Sequence, residues 1–288
     1  MLSIKNWQDD RARWEAAGVE LPKNDVAAAK RAGAEQPRWI HVGAGNLYRT
    51  FHAAVAQDLL DADKLDRGVV VADMRHPFAI DDVYRPFNDD VLMVTMNEDG
   101  TLGKRVLAST AASLFANPQA PEDWARMKGY FASPELQLVT VTITEKGYTP
   151  APEDIAGDPV VPVSAMGLFA SLLLERFQAG AAPIALVTTD NFSQNGRRFR
   201  ESVLAVVNGW LANGHVGQDF ADYVSDEARV SFPWSMIDRI TPQPLAGRVR
   251  QARRRGLRGR GTHPSAGRRH GVRLLREHGA RALPGHRG

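Results

Sequence analysis

Apolar runs alternate with helical spacings along residues 1–242 of this 288-residue chain. The runs predict five strands, at 38–42, 68–72, 91–96, 136–144 and 184–189. Between the runs, the spacing predicts helices at 51–60 and 164–178 and an opening helical region at 6–33. Short, nearly continuous apolar strands separated by helices are typical of a parallel sheet covered on both faces. The pattern therefore predicts an α/β fold with a doubly wound, mainly parallel sheet. The predicted apolar face of the helix at 51–60 consists of Phe51, Ala54, Val55 and Leu59.

The first strand run leads directly into the segment Gly43-Ala44-Gly45-Asn46-Leu47. Glycines at such a turn let the backbone bend tightly and approach a pyrophosphate, which then lies at the positive end of the following helix. Tyr48 stands where the usual G-x-G-x-x-G pattern has its third glycine, so the segment alone is equally consistent with an ordinary turn. Its place between a strand and a helix favours dinucleotide binding, with residues 43–47 as the predicted contacts.

Asp73 follows the second strand run. An acidic residue at this point accepts hydrogen bonds from the ribose hydroxyls of adenosine and repels the 2′-phosphate of NADP. Asp73 therefore predicts NAD as the cofactor; the alternative is an ordinary solvated residue at the end of a strand. Arg75 nearby leaves room for NADP.

Polar segments follow the fourth and fifth strand runs, at the edge where a doubly wound sheet binds ligands. In the first segment, Glu145 and Lys146 suggest either a proton-transfer pair or an exposed ion pair. In the second, Asn191 is placed to donate a hydrogen bond to a substrate oxygen on which negative charge develops. Alternatively, Asp190 or Asn191 caps the helix that follows.

Charge divides the chain near residue 243. Residues 243–288 contain 13 Arg, no Lys, no aromatic residue and a single acidic residue, Glu277. The whole chain has 36 basic and 33 acidic residues, so 23 and 32 remain in residues 1–242. The first part therefore carries a net charge of −9 and the tail +12.

Three interpretations of the tail compete. An Arg-rich arm would bind nucleic acid by displacing counterions, but such arms usually mix Lys and aromatic residues with Arg, so nucleic acid is not an expected partner. An ordinary solvated tail is the second interpretation. The third is a shifted reading frame, because Arg, Gly, Ala, Pro and His become frequent when a GC-rich gene is read out of register. The third fits best, and we predict that residues 243–288 are frameshifted and disordered.

The composition excludes several protein classes. The chain has no cysteine, which rules out disulfides and thiolate zinc sites. Its first residues lack the apolar run of a signal peptide, and no segment approaches the ~20 apolar residues of a membrane span. We therefore expect a cytoplasmic protein that does not enter a membrane.

Four segments, at 41–46, 142–148, 189–196 and 232–242, resemble those of the mannitol dehydrogenase family in order and spacing. These polyol-specific long-chain dehydrogenases include mannitol 2-dehydrogenase, fructuronate reductase and tagaturonate reductase. The resemblance ends at residue 242. It implies a Rossmann-type NAD-binding domain, a mostly helical C-terminal substrate domain, reversible oxidation of a polyol or reduction of a keto-sugar acid, and no metal.

The resemblance also implies a catalytic lysine, in a Lys-x4-Asn-x2-His arrangement in the C-terminal domain. The last lysine here is Lys146, and residues 243–288 contain no asparagine, so that base and most of its domain are expected to be missing. Asn191 matches the asparagine of the family's oxyanion pair, whereas Asp238 and Arg239 are interpreted as structural. We expect an NAD-dependent oxidoreductase of polyols or keto-sugar acids that is inactive as written; the alternative is a non-catalytic dinucleotide-binding module.

Overall fold

The structure, a computed structural model, describes residues 2–97, 99–236 and 257–258. Within these ranges the strands are β1 (Leu2–Ser3), β2 (Trp39–Val42), β3 (Val69–Asp73), β4 (Val91–Met96), β5 (Leu102–Leu107), β6 (Thr110–Phe115), β7 (Leu138–Val141), β8 (Ile184–Thr188), β9 (Val230–Ser231) and β10 (Leu257–Arg258). The α-helices are α1 (Arg11–Ala16), α2 (Val26–Glu35), α3 (Ala53–Asp61), α4 (Pro77–Ala79), α5 (Pro121–Ala132), α6 (Pro152–Ala156), α7 (Ala165–Gln178), α8 (Asn195–Ala212) and α9 (Gln218–Ser225). Asp238, Arg239 and the predicted tail, apart from β10, lie outside the described residues. None of the helices described is both long and apolar enough to cross a membrane.

In the described part of the chain, six parallel strands form the central sheet, in the order β6-β3-β2-β7-β8-β9. The chain starts in the middle with β2, moves outward to β6, and returns to β7 on the other side of β2. The strand order reverses between β2 and β7, and doubly wound sheets bind their ligands in the crevice beyond the carboxyl ends of the strands at such a point. Val42 pairs in register with Val141, so the segments after both strands start at the same level. The predicted α/β fold with a parallel sheet is confirmed.

The strand predicted at 91–96 is present, but it does not lie in the central sheet. The run at 91–96 forms β4, which pairs antiparallel with β5 in a separate two-stranded hairpin. The outer position of the central sheet belongs to β6, which pairs with β3. A Cβ added to Gly33 of α2 would lie 2.2 Å from the Gly68 carbonyl oxygen and 2.8 Å from the Ala111 methyl group. This close packing demands short side chains in and beside β6, which therefore lacks a strong apolar run.

The helix predicted at 51–60 is present, but it buries a different face. It begins with the π-helical turn Tyr48–His52 and continues as α3. Val55, placed on the apolar face by the sequence pattern, is exposed. A π-helix bonds each residue to the fifth one along rather than the fourth, so the 3.6-residue spacing counted from Phe51 falls out of phase. The buried side chains of α3 are Ala53, Ala56, Gln57 and Leu60.

Two side chains fix the start of α7, the helix predicted at 164–178. The Ser164 hydroxyl accepts a hydrogen bond from the Gly167 N–H at 3.2 Å. The buried carboxylate of Asp154 accepts the N–H groups of Val163 and Ser164 at 2.7 and 2.8 Å. A Cβ added to Gly167 would lie 2.4 Å from the Asp154 carboxyl carbon, so this cap requires glycine there.

The buried guanidinium of Arg176 joins the loops that lead into β7 and β8. Each of its five N–H groups donates to a backbone carbonyl, and all the distances are 2.8 or 2.9 Å. Backbone dipoles rather than a carboxylate therefore stabilise this charge. The accepting carbonyls belong to Phe131, Ser133, Leu136, Ala182 and Pro183.

Candidate functional site

The turn after β2 requires glycine at position 43 and leaves open space at position 45. Gly43 has a φ of +124°, and an added Cβ would lie 2.2 Å from the Thr142 carbonyl oxygen. Both the backbone angle and this contact exclude a side chain. At Gly45, by contrast, no atom outside the immediate chain lies within 4 Å of an added Cβ. The second glycine therefore leaves the room that a closely approaching pyrophosphate needs.

Ala44, Asn46 and Leu47 complete this loop. Ala44 is buried, and its carbonyl accepts a hydrogen bond from the Tyr84 hydroxyl at 3.1 Å. The side-chain oxygen of Asn46 accepts a hydrogen bond from the Arg49 guanidinium, and Leu47 is half-buried in the first turn of the helix. The first N–H groups of a helix have no partners within it, so this helix start offers donors and a positive dipole to an anion. Residues 43–47 thus fit a dinucleotide phosphate.

Tyr48, at the position of the third glycine, fills the space between the helix and the sheet. Its buried ring stacks on His41 with centroids 4.7 Å apart, and its hydroxyl lies 2.9 Å from Thr110 Oγ1. In the usual pattern the third glycine lets the helix pack closely on the strand. Here the π-helical turn Tyr48–His52 accommodates a ring instead, and the missing glycine changes the packing below the loop.

Two buried histidines lie in the same cluster. The ring nitrogens of His41 are 2.7 and 2.9 Å from the hydroxyls of Thr140 and Thr142, and burial lowers the pKa of His41. The His52 ring, 4.4 Å from that of His41, is 4% exposed, and its nitrogens have no hydrogen-bond partner of ordinary geometry among the described residues. Burial lowers the pKa of His52 to about 4, opposed in part by the Leu47 backbone. His52 is therefore uncharged at neutral pH.

Asp73 lies at the end of β3, beside the crevice. Its Oδ1 accepts the backbone N–H groups of Arg75 and His76, both at 2.8 Å. The other oxygen, Oδ2, forms no hydrogen bond with the part of the chain that the structure describes. The turn that Asp73 itself forms therefore orients its carboxylate and engages only one of the two oxygens. The Arg75 side chain is exposed next to it.

The carboxylate of Asp190 joins the segments that follow β7 and β8. Its Oδ2 accepts the Ile143 N–H and the Tyr148 hydroxyl, both at 2.8 Å, and its Oδ1 accepts the Thr144 N–H at 3.2 Å. The Tyr148 hydroxyl is also 2.5 Å from Thr188 Oγ1. Burial raises the pKa of Tyr148, which keeps its hydroxyl protonated as a donor.

Neither Asp190 nor Asn191 caps the helix after β8, which excludes that alternative. The residue before α8 is Gln194, whose side chain forms no capping hydrogen bond. Asp190 points instead to the segment after β7, as its three hydrogen bonds show. Asn191 is exposed at the mouth of the crevice, and no described residue forms a hydrogen bond with its amide, which leaves the amide accessible to a substrate.

Thr144 adopts a strained backbone conformation, with φ +66° and ψ 157°. This region is essentially reserved for glycine and costs about 1–3 kcal/mol. A β-branched residue with positive φ is a genuine outlier. The strain lies immediately after β7, in the wall of the crevice, where strained residues often have a function.

Glu145 and Lys146 do not form the predicted pair. The Glu145 carboxylate binds the guanidinium of Arg198 in α8 at 2.6 Å, and Arg198 also lies 5.6 Å from the centroid of the Phe192 ring. Lys146 is exposed and forms no ion pair with a described residue. Arginine offers a planar fork that suits both a carboxylate and an aromatic ring, which explains why Glu145 turns away from its neighbour.

Asn195, which the sequence analysis did not single out, ties the segment 231–236 to the crevice. Its side-chain amide donates to the carbonyls of Asp190 and Ser235 at 3.0 and 2.9 Å. The Ser235 hydroxyl donates in turn to the Thr188 carbonyl at 2.5 Å. A single buried asparagine between polar neighbours carries no sequence signal for a contact 40 residues away.

The sheet order and the glycine turn make this region a Rossmann-type dinucleotide-binding domain. The family model of the mannitol dehydrogenase Rossmann domain matches residues 37–255. The chain belongs to the mannitol dehydrogenase family, as its four motifs predicted. The match continues beyond residue 242, so the family resemblance extends into the first residues of the Arg-rich segment.

Curated relatives give the same assignment. A D-mannonate oxidoreductase of Thermotoga maritima is 44% identical over 245 residues, which cover 82% of this chain and 45% of the relative. A mannitol 2-dehydrogenase of Pyrenophora tritici-repentis is 28% identical over 239 residues, covering 77% of this chain and 40% of the relative. The chain thus spans less than half the length of these two proteins.

Solved structures support the fold. A ternary complex of Pseudomonas fluorescens mannitol 2-dehydrogenase with NAD and D-mannitol superimposes with a TM-score of 0.69 at 25% identity, covering 83% of this chain and 48% of that one. A substrate-free D-sorbitol dehydrogenase gives a TM-score of 0.68 at 22% identity, covering 84% and 49%. The second likeness concerns the fold alone.

Proposed function

We propose that this chain is the NAD-binding part of a dehydrogenase that interconverts a hydroxyl and a carbonyl group on a sugar acid or polyol. The observation that carries the proposal is the turn after β2. Gly43 brings the backbone against β7, Gly45 leaves open space, and a helix starts directly behind them. An anion bound there would meet backbone donors and the positive end of a helix.

The described residues divide the work of holding the cofactor. The N–H groups of residues 43–47 would bind the pyrophosphate, and Oδ2 of Asp73 would accept hydrogen bonds from the adenosine ribose. When bound, NAD supplies the hydride acceptor for oxidation and, as NADH, the hydride donor for reduction. Asn191 would donate a hydrogen bond to the substrate oxygen as it gains negative charge. These roles agree with the free Asp73 oxygen and with the exposure of Asn191.

We further propose that the substrate carries a carboxylate, as in the mannonate and fructuronate pair. The support is the difference in similarity, since identity is 44% to a D-mannonate oxidoreductase but 28% to a mannitol 2-dehydrogenase over a similar length. Polyols of the mannitol type are the second candidates.

Oxidation also requires a base that takes the hydroxyl proton while hydride leaves carbon, and such a group typically contributes ~10²–10⁴-fold. Lys146 is the last lysine of the chain, and no described contact orients its exposed ammonium. The ring nitrogens of His41 are already engaged by Thr140 and Thr142. We therefore propose that the 288-residue chain binds NAD but turns over substrate only at background rate. A non-catalytic dinucleotide-binding module remains the alternative function.

One set of assays separates these proposals. The purified chain is titrated with NADH by fluorescence, and NADH oxidation is followed with fructuronate, tagaturonate and fructose. Saturable NADH binding without turnover is the expected result. Turnover above background would place the base within this chain, with Lys146→Ala as the next variant to assay. Absence of NADH binding would overturn the proposed function.

A further inference from the structure

We propose that Asp190 is a positioning residue for the cofactor: its carboxylate holds Ile143 and Thr144 in the conformation in which they form one wall of the NAD site. This inference rests on the proposed binding of NAD. It concerns the segment after β7, which borders the glycine turn, and not the direct contacts of residues 43–47 or Asp73 with the cofactor.

The first support is that the carboxylate of Asp190 holds the backbone where it is strained. Thr144 has φ +66° and ψ 157°, a conformation that an unrestrained threonine leaves. Asp190 accepts the N–H of Thr144 at 3.2 Å and that of Ile143 at 2.8 Å. The Tyr148 hydroxyl holds the same carboxylate from the other side at 2.8 Å. The two N–H groups therefore fix the peptide units on either side of Ile143, and the second of these leads directly into the strained Thr144.

The second support is the distance to the glycine turn. Thr142 precedes the strained segment, and its carbonyl oxygen would lie 2.2 Å from a Cβ added to Gly43. The Thr142 hydroxyl also reaches the Gly43 carbonyl at 3.5 Å. Thr142 and the turn are thus in close contact, so a shift of the segment that begins at Thr142 changes the shape of the site.

The third support is a comparison with Asp154, a second carboxylate that accepts two consecutive backbone N–H groups and that, unlike the partly buried Asp190, is fully buried. There the restrained residue Ser164 has φ −95° and ψ 162°, which is ordinary extended backbone. A carboxylate clamp therefore does not by itself require strain. The strain occurs at the clamp that faces the crevice, which indicates a role in the site beyond the fold.

Without the clamp, a smaller fraction of the molecules should hold segment 142–144 in the conformation that binds NADH. The affinity for NADH should fall as a result. When a segment must return to a minor conformation before binding, the apparent Kd rises by the inverse of that fraction. In Asp190→Asn one oxygen replaces two, so the N–H groups of Ile143 and Thr144 lose part of their restraint. We expect about a tenfold rise in the Kd of NADH, which corresponds to about 1.4 kcal/mol.

The test is a double-mutant cycle between Asp190 and Thr144. Glycine adopts the Thr144 conformation without strain, so in a Thr144→Gly background the clamp has less to hold. The Kd of NADH is measured by fluorescence for the wild type, Asp190→Asn, Thr144→Gly and the double variant. Thermal unfolding is followed for all four by circular dichroism. Asp154→Asn is the matched control, since it weakens an equivalent clamp on the unstrained start of α7.

The expected result is that Asp190→Asn raises the Kd about tenfold in the wild-type background and less than threefold in the Thr144→Gly background. Asp154→Asn should lower the melting temperature without changing the Kd. Equal effects of Asp190→Asn in both backgrounds, or a lower melting temperature with an unchanged Kd, would overturn the inference.

If Asp190→Asn does not fold, Tyr148→Phe replaces it in the cycle. The expected rise in the Kd is then smaller, and the effect must again be weaker in the Thr144→Gly background. Failure of the wild type itself to bind NADH would count against the proposed function and not specifically against the clamp.

Discussion

The ring of Tyr48 stacks on the imidazole of His41, with centroids 4.7 Å apart and planes inclined by 28°. His41 belongs to β2, and Tyr48 opens the π-helical turn of the following helix. The stack therefore anchors both ends of the phosphate loop, residues 43–47, to each other beneath the site. In the common pattern the third glycine lets the helix pack closely on the strand. Here the Tyr48 ring fills the space between helix and strand and joins them through its contact with His41.

Restoring that glycine should consequently harm the protein. Replacing a buried aromatic ring by a residue without a side chain leaves a cavity, and we expect Tyr48→Gly to lose about 3–5 kcal/mol of unfolding free energy. Urea denaturation measures the change. Tyr48→Phe is the control, because it keeps the stack and removes only the hydrogen bond to Thr110, at about 1 kcal/mol. A Tyr48→Gly variant as stable as wild type would contradict the filling role assigned to the ring.

The buried His52 should make stability depend on pH. Its pKa is about 4 in the folded state and 6.5 in the unfolded chain, so the unfolded chain binds the proton more readily between these values. Stability is then full above pH 6.5 and falls as the pH drops towards 4, by roughly 3 kcal/mol in total. We expect His52→Leu to reduce this loss, as measured by urea denaturation at several pH values. Carboxylates that titrate in the same range are common to both proteins, so the difference between the two curves isolates His52.

The exposed His215 provides the control for this experiment. It lies outside the His41–Tyr48–His52 cluster, and His215→Gln should leave the pH dependence of stability as in the wild type. A His52→Leu curve parallel to that of the wild type would show that the ring is already solvated in the folded state.

Asp73 should determine the choice between NADH and NADPH. Asp73→Ser removes both the acceptor for the ribose hydroxyls and the charge that repels a 2′-phosphate. We expect NADH affinity to fall and NADPH affinity to rise, each by about tenfold, because a hydrogen bond to a charged group contributes about 1.5–3 kcal/mol. Fluorescence titration with both cofactors measures the ratio. Asp73→Asn keeps an acceptor for the N–H groups of Arg75 and His76, so it separates loss of charge from loss of the turn. Unchanged discrimination in both variants would remove Asp73 from the site.

Arg176 should be intolerant even of lysine. Lysine has three N–H donors, whereas the guanidinium supplies five to five carbonyls. We expect Arg176→Lys to lose about 3–5 kcal/mol, as for other broken buried networks, and to melt roughly 10 °C lower. Arg197, exposed on α8, gives the control substitution Arg197→Lys, with little expected change. Equal melting temperatures for the two variants would show that the buried guanidinium of Arg176 does not stabilise the fold more than an exposed one.

Features that depend on nearby residues were predictable from the sequence. The turn at Gly43 and the acid at Asp73 follow local rules of backbone freedom and strand order, and both lie where the pattern placed them. The outer strand β6 was missed because its first half, Thr110–Ser113, consists of small or polar residues, and close packing of Gly33 against Ala111 requires a short side chain there.

Contacts between distant residues were beyond the sequence pattern. The clamp of Asp190 on Thr144 spans 46 residues, and nothing in the order of amino acids indicates a positive φ at a threonine. The pairing of Glu145 with Arg198 spans 53 residues. It replaces the pair with Lys146 that the sequence suggested. Such contacts depend on the relative placement of β7, β8 and α8, which only the folded chain defines.

The hydrogen bond from Ser235 to Thr188 fixes the segment 231–236 against the central sheet. It holds the chain at the carboxyl end of β8, beside Asn191, immediately before Met236. A substitution such as Ser235→Ala would therefore loosen the loop after β8 without altering any residue of that loop.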